Sequence, residues 1–460
     1  MYTSNDNVDW VLIEQNEKCG GLASTVTDEQ GFLWDMGGHV IFSHYAYFTR
    51  LLDYLLPPEE WNLKIREAWV WMRQTFIPYP LQQNLHRLPK TDIIQSIDGL
   101  IDNEKKRSLF TKPKTFKDWL IQSFGSGLCE VFMYPYNFKV WAYTSDKMNI
   151  EWMGERVATV DLSKVIKNVI NQQDELGWGP NNTFRFPLHG GTGAIWKSLY
   201  EFLKPTNKFK LSTKVIAIDV KQKLITYSDK TTESYDSIIS TMPLDCLCKI
   251  IDGTSIPRET LNENAKQFRY SSSHIIGFGI AGQPPTNLQS KCWLYFPEDD
   301  CPFYRATVFS NYSPFHVPKP GQQWSLMCEV AESADKPVDK DKIIQIAEQG
   351  LINTKLINDT HEIISRYHIR LEYGYPTPFY GRDALCEPLF NEFESHDIYS
   401  RGRFGCWKYE VSNQDHSLML GVEAVDKIVF GTEEMTFKYP GIVNANKDSV
   451  GRVPCFPDKK

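Results

Sequence analysis

The sequence predicts a mixed α/β fold that carries an inserted helical region and a separate antiparallel β-sheet region. Three observations lead to this prediction. The apolar run Val8–Glu14 is typical of a buried parallel strand and is followed by the glycine pair Gly20-Gly21. Residues 82–173 have a mostly helical pattern, whereas strand-like runs dominate residues 271–378.

Length and composition set the class of protein. A chain of 460 residues with 42% hydrophobic and 23% charged residues is typical of a globular protein with two or three domains. Its net charge of −7 argues against general attraction to nucleic acid or anionic membranes. No membrane-span or signal-peptide pattern occurs, so we expect a cytoplasmic chain without a membrane partner. Ten scattered cysteines without a C-x-x-C motif favour free thiols over a zinc site or a disulfide framework.

The segment Cys19–Tyr45 carries two glycine pairs, Gly20-Gly21 and Gly37-Gly38, around the apolar residues Phe32–Trp34. Paired glycines let the backbone lie against a flat or anionic ligand. Glu14 ends the first predicted strand. In dinucleotide-binding folds an acid at that position accepts a hydrogen bond from the adenosine ribose. The same pattern also fits a strand, a turn and a hairpin with glycines at tight corners.

The phosphate-binding part of such a fold has no counterpart before Glu14. The ribose acid is expected about 20 residues after a G-x-G-x-x-G loop. Only thirteen residues precede Glu14, and none of them is glycine. We therefore expect this chain to start at the second strand, without the glycine-rich loop, its helix and the first, central strand.

Helix signals are clear at five places. A short helix is predicted over Tyr47–Leu55, and Thr115 and Asp161 are good N-caps for two further helices. Gly190–Gly193 precedes a predicted helix, and glycines there can bind an anion through free N–H groups, although such an entry is usually only a turn. A last helix is predicted from Leu418 to about Val429.

Strand signals fill much of the second half of the chain. The predicted strands are Val215–Ile218, Leu224–Tyr227, Tyr235–Thr241, His274–Ile280, Cys292–Phe296, Tyr304–Phe309, Trp324–Val330 and Ile364–Leu371. The last five of these strands lie within residues 271–378, with one predicted helix, Asp341–Ile357, among them. This dominance of strands indicates a mainly antiparallel sheet.

Seven strings follow one another in the chain: GGLAST (Gly20–Thr25), DMGGHVIFSHY (Asp35–Tyr45), WMGERVA (Trp152–Ala158), FRFPLHGGTG (Phe184–Gly193), FYRATVFSNYSP (Phe303–Pro314), EYGYPTP (Glu372–Pro378) and GRFGCWKYEVSNQDHS (Gly402–Ser417). Together, and in this order, they closely resemble the eukaryotic-type UDP-galactopyranose mutases, from about Val11 to Val429. The departure from the family pattern is the absent first strand and glycine-rich loop.

The resemblance implies an α/β fold with a discontinuous, Rossmann-like FAD-binding domain, an inserted helical domain and an antiparallel β-sheet domain. The expected bounds are 1–45, 180–270 and 395–430 for the FAD domain, 82–178 for the helical substrate domain, 46–81 and 271–394 for the sheet domain, and 431–460 for a C-terminal tail.

The resemblance also implies an activity. The family interconverts UDP-galactopyranose and UDP-galactofuranose, without net redox change, through a covalent sugar adduct on reduced FAD. We therefore expect an isomerase that binds UDP-galactose and UDP-galactofuranose, with NADPH or NADH as the reductant of the flavin. The sequence does not indicate the oligomeric state.

Site residues follow by motif match to the family. His39, Arg156 and Arg305 are the expected catalytic residues, with the two arginines as clamps for the diphosphate. The expected substrate-binding residues are Phe42, Tyr79, Gln82, Trp141, Asn181, Trp293, Tyr295, Tyr312, Tyr375 and Tyr409, of which Tyr79 and Gln82 would hold uracil. The expected cofactor-binding residues are Glu14, Gly20, Gly21, Leu22, Gly37, Gly38, His39, Val215, Thr241, Arg403, Asn413, Gln414 and Ser417. No metal site is expected.

Two alternatives stay open. The missing glycine loop favours an inactive, truncated relative that cannot hold FAD, whereas the intact active-site strings argue against this. The glycine pairs and the C-terminal flavin motif also fit a flavin oxidase, such as an amine oxidase. The arginine and tyrosine set expected for a diphosphate argues against that second alternative.

Overall fold

The computed structural model describes residues 8–153, 157–176 and 183–445. The helices are α1 (Ala46–Leu55), α2 (Lys90–Lys106), α3 (Phe116–Leu128), α4 (Tyr134–Trp141), α5 (Leu162–Asn171), α6 (Gly193–Leu203), α7 (Leu244–Ile250), α8 (Arg258–Gln267), α9 (Ile343–Asn353), α10 (Arg382–Glu394), α11 (Gln414–Phe430), α12 (Met435–Lys438) and α13 (Pro440–Ala445). The strands are β1 (Leu12–Ile13), β2 (Thr25–Thr27), β3 (Leu33–Asp35), β4 (Trp61–Ile65), β5 (Ala68–Met72), β6 (Thr75–Pro78), β7 (Thr183–Pro187), β8 (Phe209–Lys210), β9 (Val215–Asp219), β10 (Leu224–Tyr227), β11 (Thr232–Ser234), β12 (Ile238–Ser240), β13 (Ile251–Asp252), β14 (Tyr270–Ala281), β15 (Trp293–Tyr295), β16 (Arg305–Val308), β17 (Gln323–Glu332), β18 (Ile363–Pro376) and β19 (Ile398–Ser400).

The largest sheet has seven strands in the order β18-β14-β17-β16-β15-β5-β6. Its neighbours are antiparallel except for the parallel pair β15 and β5. This confirms the antiparallel sheet that was predicted for residues 271–378. Strands β14, β17 and β18 are longer than predicted, whereas β15 and β16 are shorter. One face of the sheet is a buried core in which Ile276, Phe278 and Leu326 pack with Ala347 and Leu351 of α9.

The opposite face of the sheet receives the apolar segment Phe32–Trp34. Two glycines of β14 make room for its aromatic rings. A Cβ atom on Gly277 would lie 2.6 Å from the Trp34 ring, and one on Gly279 would lie 2.5 Å from the Phe32 ring. Close packing at these two glycines fixes the segment against the sheet. The residues that follow it, Gly37-Gly38-His39, are thereby placed beside the sheet.

Two two-stranded parallel sheets lie apart from this sheet: β1 with β8, and β12 with β19. A four-stranded sheet, in the order β11-β10-β9-β13, contains a further parallel pair, β9 with β13. The prediction of a buried strand over Val8–Glu14 is wrong in extent and burial. Only Leu12–Ile13 is a strand, and Val8, Trp10 and Leu12 are 45%, 40% and 40% exposed. The physical reason is that β1 bonds to β8 on one side only. Its residues line a large cavity, and the described part of the chain supplies no further strand there.

Helices α2 to α5 confirm the mostly helical pattern that was predicted for residues 82–173. Thr115 and Asp118 form a capping box at the start of α3. The side chain of Asp161 accepts the N–H of Lys164 at the start of α5. Apolar residues of α3, including Leu120 and Phe124, pack into a core shared with β5 and β6.

The last long helix begins earlier than predicted. α11 starts at Gln414, with Asn413 as an extended N-cap residue, rather than at Leu418. Its first turn is polar, so the apolar periodicity that marks a helix in the sequence appears one turn late. Within the described ranges, no helix is long and apolar enough to cross a membrane.

Candidate active site

A cavity of about 2870 Å³ is lined by residues of the parallel strands β1, β8 and β12, by residues of the seven-stranded sheet and by the N-terminus of α11. Every residue predicted to hold the cofactor contributes to its wall: Glu14, Gly20, Gly21, Leu22, Gly37, Gly38, His39, Val215, Thr241, Arg403, Asn413, Gln414 and Ser417. The structure therefore brings together in one cavity residues that are up to 403 positions apart in the chain. This juxtaposition is the basis of the candidate site.

Glycines shape the wall where the chain turns. Gly20 has φ +119° and Gly37 has φ +131°, which side-chain-bearing residues rarely adopt. At position 38 a glycine is required because there is no room for a side chain: a Cβ atom there would lie 2.6 Å from Thr307 Oγ1. The paired glycines thus let the backbone form the cavity wall directly.

Arg305 and Glu329 form an ion pair at the sheet end of the cavity. They are direct cross-strand partners on β16 and β17. Arg305 Nε donates to Glu329 Oε1 at 2.7 Å, and Arg305 Nη2 donates to Oε2 at 2.8 Å. Burial would raise the pKa of Glu329, but the Arg305 guanidinium holds it below its usual range. The arginine is therefore oriented by a partner that is ionised at neutral pH.

The same carboxylate reaches the glycine segment. The backbone N–H of Gly38 donates to Glu329 Oε1 at 3.0 Å, and the Tyr304 hydroxyl donates to Oε2 at 2.8 Å. Glu329 is 2% exposed. It therefore connects the predicted cofactor segment with the predicted diphosphate arginine through a single buried side chain.

His39 follows this glycine pair and lines the cavity. Its desolvation lowers the pKa of the imidazole to about 4, and the guanidinium groups of Arg305 and Arg403 act in the same direction. The ring is therefore neutral at pH 7, and it offers one hydrogen-bond donor and one acceptor rather than a charge.

An aromatic wall faces the other part of the cavity. Phe42, Tyr79, Trp293, Tyr295, Tyr375 and Tyr409 all contribute to it. The rings of Tyr79 and Tyr295 lie 5.3 Å apart, and those of Tyr375 and Tyr409 lie 5.9 Å apart. The Cζ atom of Arg403 lies 4.8 Å from the centroid of the Tyr375 ring. The guanidinium group donates to the carbonyl oxygens of Gly374 and Ser412. The wall combines flat apolar surface with hydroxyl groups and a cation.

Three predicted substrate residues do not reach the cavity. Gln82 is 3% exposed and donates to the Ala158 carbonyl oxygen at 2.7 Å. Trp141 is 2% exposed and packs edge-on against Tyr409, with ring centroids 4.8 Å apart. Tyr312 is fully buried against Phe186. In this structure these three residues lie behind the wall, where they support it. Arg156 and Asn181 lie outside the described residues.

Sequence reasoning missed several residues of this site. Glu329 lies in the apolar run Leu326–Ala331, and an acid inside a buried strand is a signal that a cationic partner is needed. Arg66 also lines the cavity and lies close enough to Tyr79 and Tyr295 to lower the pKa of both hydroxyls, against the larger effect of their burial. Nothing in its local sequence distinguishes it from a surface arginine.

His44, Asp415 and His416 form a buried cluster at the N-terminus of α11. His44 donates its backbone N–H to Asp415 Oδ2 at 2.9 Å, and its Nδ1 lies 2.8 Å from the same oxygen. The rings of His44 and His416 are 4.7 Å apart. A helix N-terminus favours the carboxylate and disfavours an added cation. We therefore interpret the cluster as a hydrogen-bonded support for the cavity wall.

Residues 4–351 match the family model of flavin containing amine oxidoreductases. A crystal structure of reduced UDP-galactopyranose mutase is similar to this chain with a TM-score of 0.91 and 47% sequence identity, over 95% of this chain and 93% of that one. An oxidoreductase from Methanosarcina mazei is similar with a TM-score of 0.57 and 15% identity, over 90% and 93% of the two chains. Putrescine oxidase bound to putrescine is similar with a TM-score of 0.59 and 14% identity, over 92% and 94%. The last two likenesses show the fold alone.

Proposed function

The chain belongs to the UDP-galactopyranose mutases within the flavin containing amine oxidoreductases, and on that premise we propose that it interconverts UDP-galactopyranose and UDP-galactofuranose with bound, reduced FAD. The observation that carries the proposal is the single cavity in which a glycine-lined wall meets an oriented arginine and an aromatic wall. A flavin and a nucleotide sugar need such adjoining surfaces.

The residues around the cavity fit FAD. Glu14 is proposed to accept a hydrogen bond from the ribose, and the N-terminus of α11 would direct its N–H groups and dipole toward the flavin. Gly37 and Gly38 leave the backbone open to a flat ring. When bound and reduced, the flavin would supply a nucleophilic ring nitrogen for the anomeric carbon. NADPH or NADH is the proposed reductant.

Arg305 and Arg156 are proposed to bind the diphosphate. Guanidinium groups are permanently charged and offer paired N–H donors, which suit two adjacent phosphates. Glu329 occupies Nε and one N–H of Nη2 of Arg305, so the Nη1 edge remains for the ligand. The hydroxyls of Tyr375 and Tyr409 would add hydrogen bonds to the same group.

Tyr79 is proposed to stack on uracil, and Gln82 to pair with the base edge. The buried Oε1 of Gln82 has no hydrogen-bond partner among the described residues. Because Gln82 lies behind the cavity wall, its proposed contact with the base requires this side chain to turn toward the cavity. Phe42, Trp293, Tyr295 and Asn181 are proposed to enclose the rest of the nucleotide sugar. His39, being neutral, would exchange hydrogen bonds at the flavin without adding charge.

The proposal is tested by loading the chain with FAD, reducing it with dithionite and adding UDP-galactofuranose. Formation of UDP-galactopyranose supports the proposal. In a parallel assay of the oxidised, FAD-loaded protein in air, loss of substrate with stoichiometric release of hydrogen peroxide would instead favour the amine-oxidase alternative. Failure to bind FAD would favour the inactive relative.

A further inference from the structure

We propose that Glu329 is a positioning residue for the diphosphate. It fixes the guanidinium plane of Arg305, so that Nη1 remains for the ligand, and it connects that arginine to the Gly37–His39 segment through a hydrogen bond. The proposal rests on the proposed function. It adds a residue that makes no contact with substrate itself and acts through the arginine.

The first argument is the geometry of the pair. Arg305 and Glu329 are cross-strand neighbours, so the two backbones hold the side chains side by side. Two parallel hydrogen bonds, of 2.7 and 2.8 Å, fix the plane of the guanidinium group. Glu329 engages Nε and Nη2, so Nη1 of this cavity-lining arginine remains for a ligand.

The second argument is that the carboxylate itself cannot turn. Its two oxygens accept four hydrogen bonds, from Arg305 twice, from Gly38 and from Tyr304. Rotation of Glu329 would break several of these bonds in a site where water does not replace them. Gly38 is closely surrounded, since a Cβ atom there would lie 2.6 Å from Thr307 Oγ1 and 3.0 Å from Trp293 Nε1. The glycine segment and the arginine are therefore held in a fixed relative position by the same carboxylate.

The third argument is charge. A buried guanidinium group without a counter-ion is strongly unfavourable. Glu329 supplies that counter-ion whether or not a diphosphate is present, since its pKa lies below the usual range. The arginine is therefore held ready, and binding does not require a flexible side chain to be ordered first.

The test compares UDP with uridine, because the two ligands differ only in the diphosphate. Dissociation constants of both are measured on flavin-loaded protein for the wild type, Glu329→Gln and the control Tyr304→Phe. Tyr304→Phe removes one hydrogen bond to the same carboxylate and leaves the ion pair intact. In Glu329→Gln we expect the preference for UDP over uridine to fall by about tenfold or more, which corresponds to one misplaced charge-assisted bond. In Tyr304→Phe it should change by less than about threefold.

A purely structural role would lower the yield of flavin-loaded protein and leave the UDP preference of that protein unchanged. An unchanged or a stronger UDP preference in Glu329→Gln would therefore overturn the proposal. If that variant does not fold, Glu329→Asp decides, because it keeps the charge and withdraws it by one methylene. A weaker UDP preference in Glu329→Asp supports the proposal, and an unchanged one overturns it. If the wild type itself prefers uridine or binds neither ligand, the proposed function fails instead.

Discussion

The carboxylate of Asp35 lies at the N-terminus of α6, where Oδ2 accepts the hydroxyl of Thr192 at 2.7 Å. The backbone N–H of Thr192 also points at this carboxylate, at 3.2 Å from Oδ1. Thr25 donates its hydroxyl to Asp35 and accepts the N–H of Gly193. The glycine-rich helix entry that the sequence suggested as an anion site is thus occupied by a carboxylate of the chain itself.

Asp35→Asn should change how stability depends on pH. Burial raises the pKa of Asp35 to about 6, against the hydrogen bonds from Thr25 and Thr192. A carboxyl with a raised pKa binds more protons in the folded state, so its contribution to stability is lost as pH rises from about 4 to about 6. The unfolding free energy of the wild type relative to Asp35→Asn should fall by up to about 3 kcal/mol over this range. Denaturant titrations measure it, and a difference independent of pH would contradict the assignment.

For His39→Gln we expect the pH dependence of the unfolding free energy to have the opposite sign. The pKa of His39 is lowered to about 4, so the unfolded state binds more protons between about pH 4 and 6.5. The unfolding free energy of the wild type relative to the variant should therefore fall as pH is lowered through this window. Titration of the imidazole by NMR checks the pKa directly. A midpoint near 6.5 would show that the ring is not desolvated.

Arg305→Lys should reduce catalytic efficiency strongly. Lysine keeps the charge but cannot bond Glu329 through two parallel N–H groups and present a further edge to a diphosphate. Loss of a contact of about 3 kcal/mol corresponds to about a 100-fold fall in kcat/KM. The matched control is Arg87→Lys, whose ion pair with Asp174 is surface-exposed and outside the cavity. Equal effects in both variants would argue against a specific role of Arg305.

Lys139→Met should destabilise the protein without altering ligand preference. Lys139 is 4% exposed, and its ammonium group donates to the carbonyl oxygens of Glu298 and Cys301 at 2.6 and 2.9 Å. It joins α4 to the loop before β16. Methionine would leave both carbonyls buried and unsatisfied, at a cost of about 2–4 kcal/mol in unfolding free energy. Lys117→Met, at an exposed position on α3, is the control. Equal denaturation midpoints for the two variants would contradict this role.

The sequence predicted most elements of the fold because their signals are local. Alternating strands, the caps Thr115 and Asp161, and the helix around Ala194–Leu203 depend on neighbouring residues, and the structure confirms them. The burial of Val8–Glu14 could not be predicted this way. An apolar run indicates a strand, but whether a second neighbour covers it depends on residues elsewhere in the chain.

The site was predicted by motif match, and the structure gathers most of those residues around one cavity. Which side chains face it depends on packing that a motif does not record. Trp141 and Tyr312 are aromatic residues that the resemblance assigns to the substrate, yet their rings pack behind the wall. Glu329 was missed because its partners, Gly38 and Arg305, are 291 and 24 positions away. Only the cross-strand register brings the three together.

The most direct measurement is conversion of UDP-galactofuranose by the FAD-loaded, dithionite-reduced chain, followed anaerobically by separation of the two nucleotide sugars. The account predicts a bound flavin spectrum that bleaches on reduction, many turnovers per flavin and no net consumption of reductant. Conversion should also fail in the oxidised protein. A chain that binds reduced FAD and UDP but leaves UDP-galactofuranose unchanged would contradict the central claim.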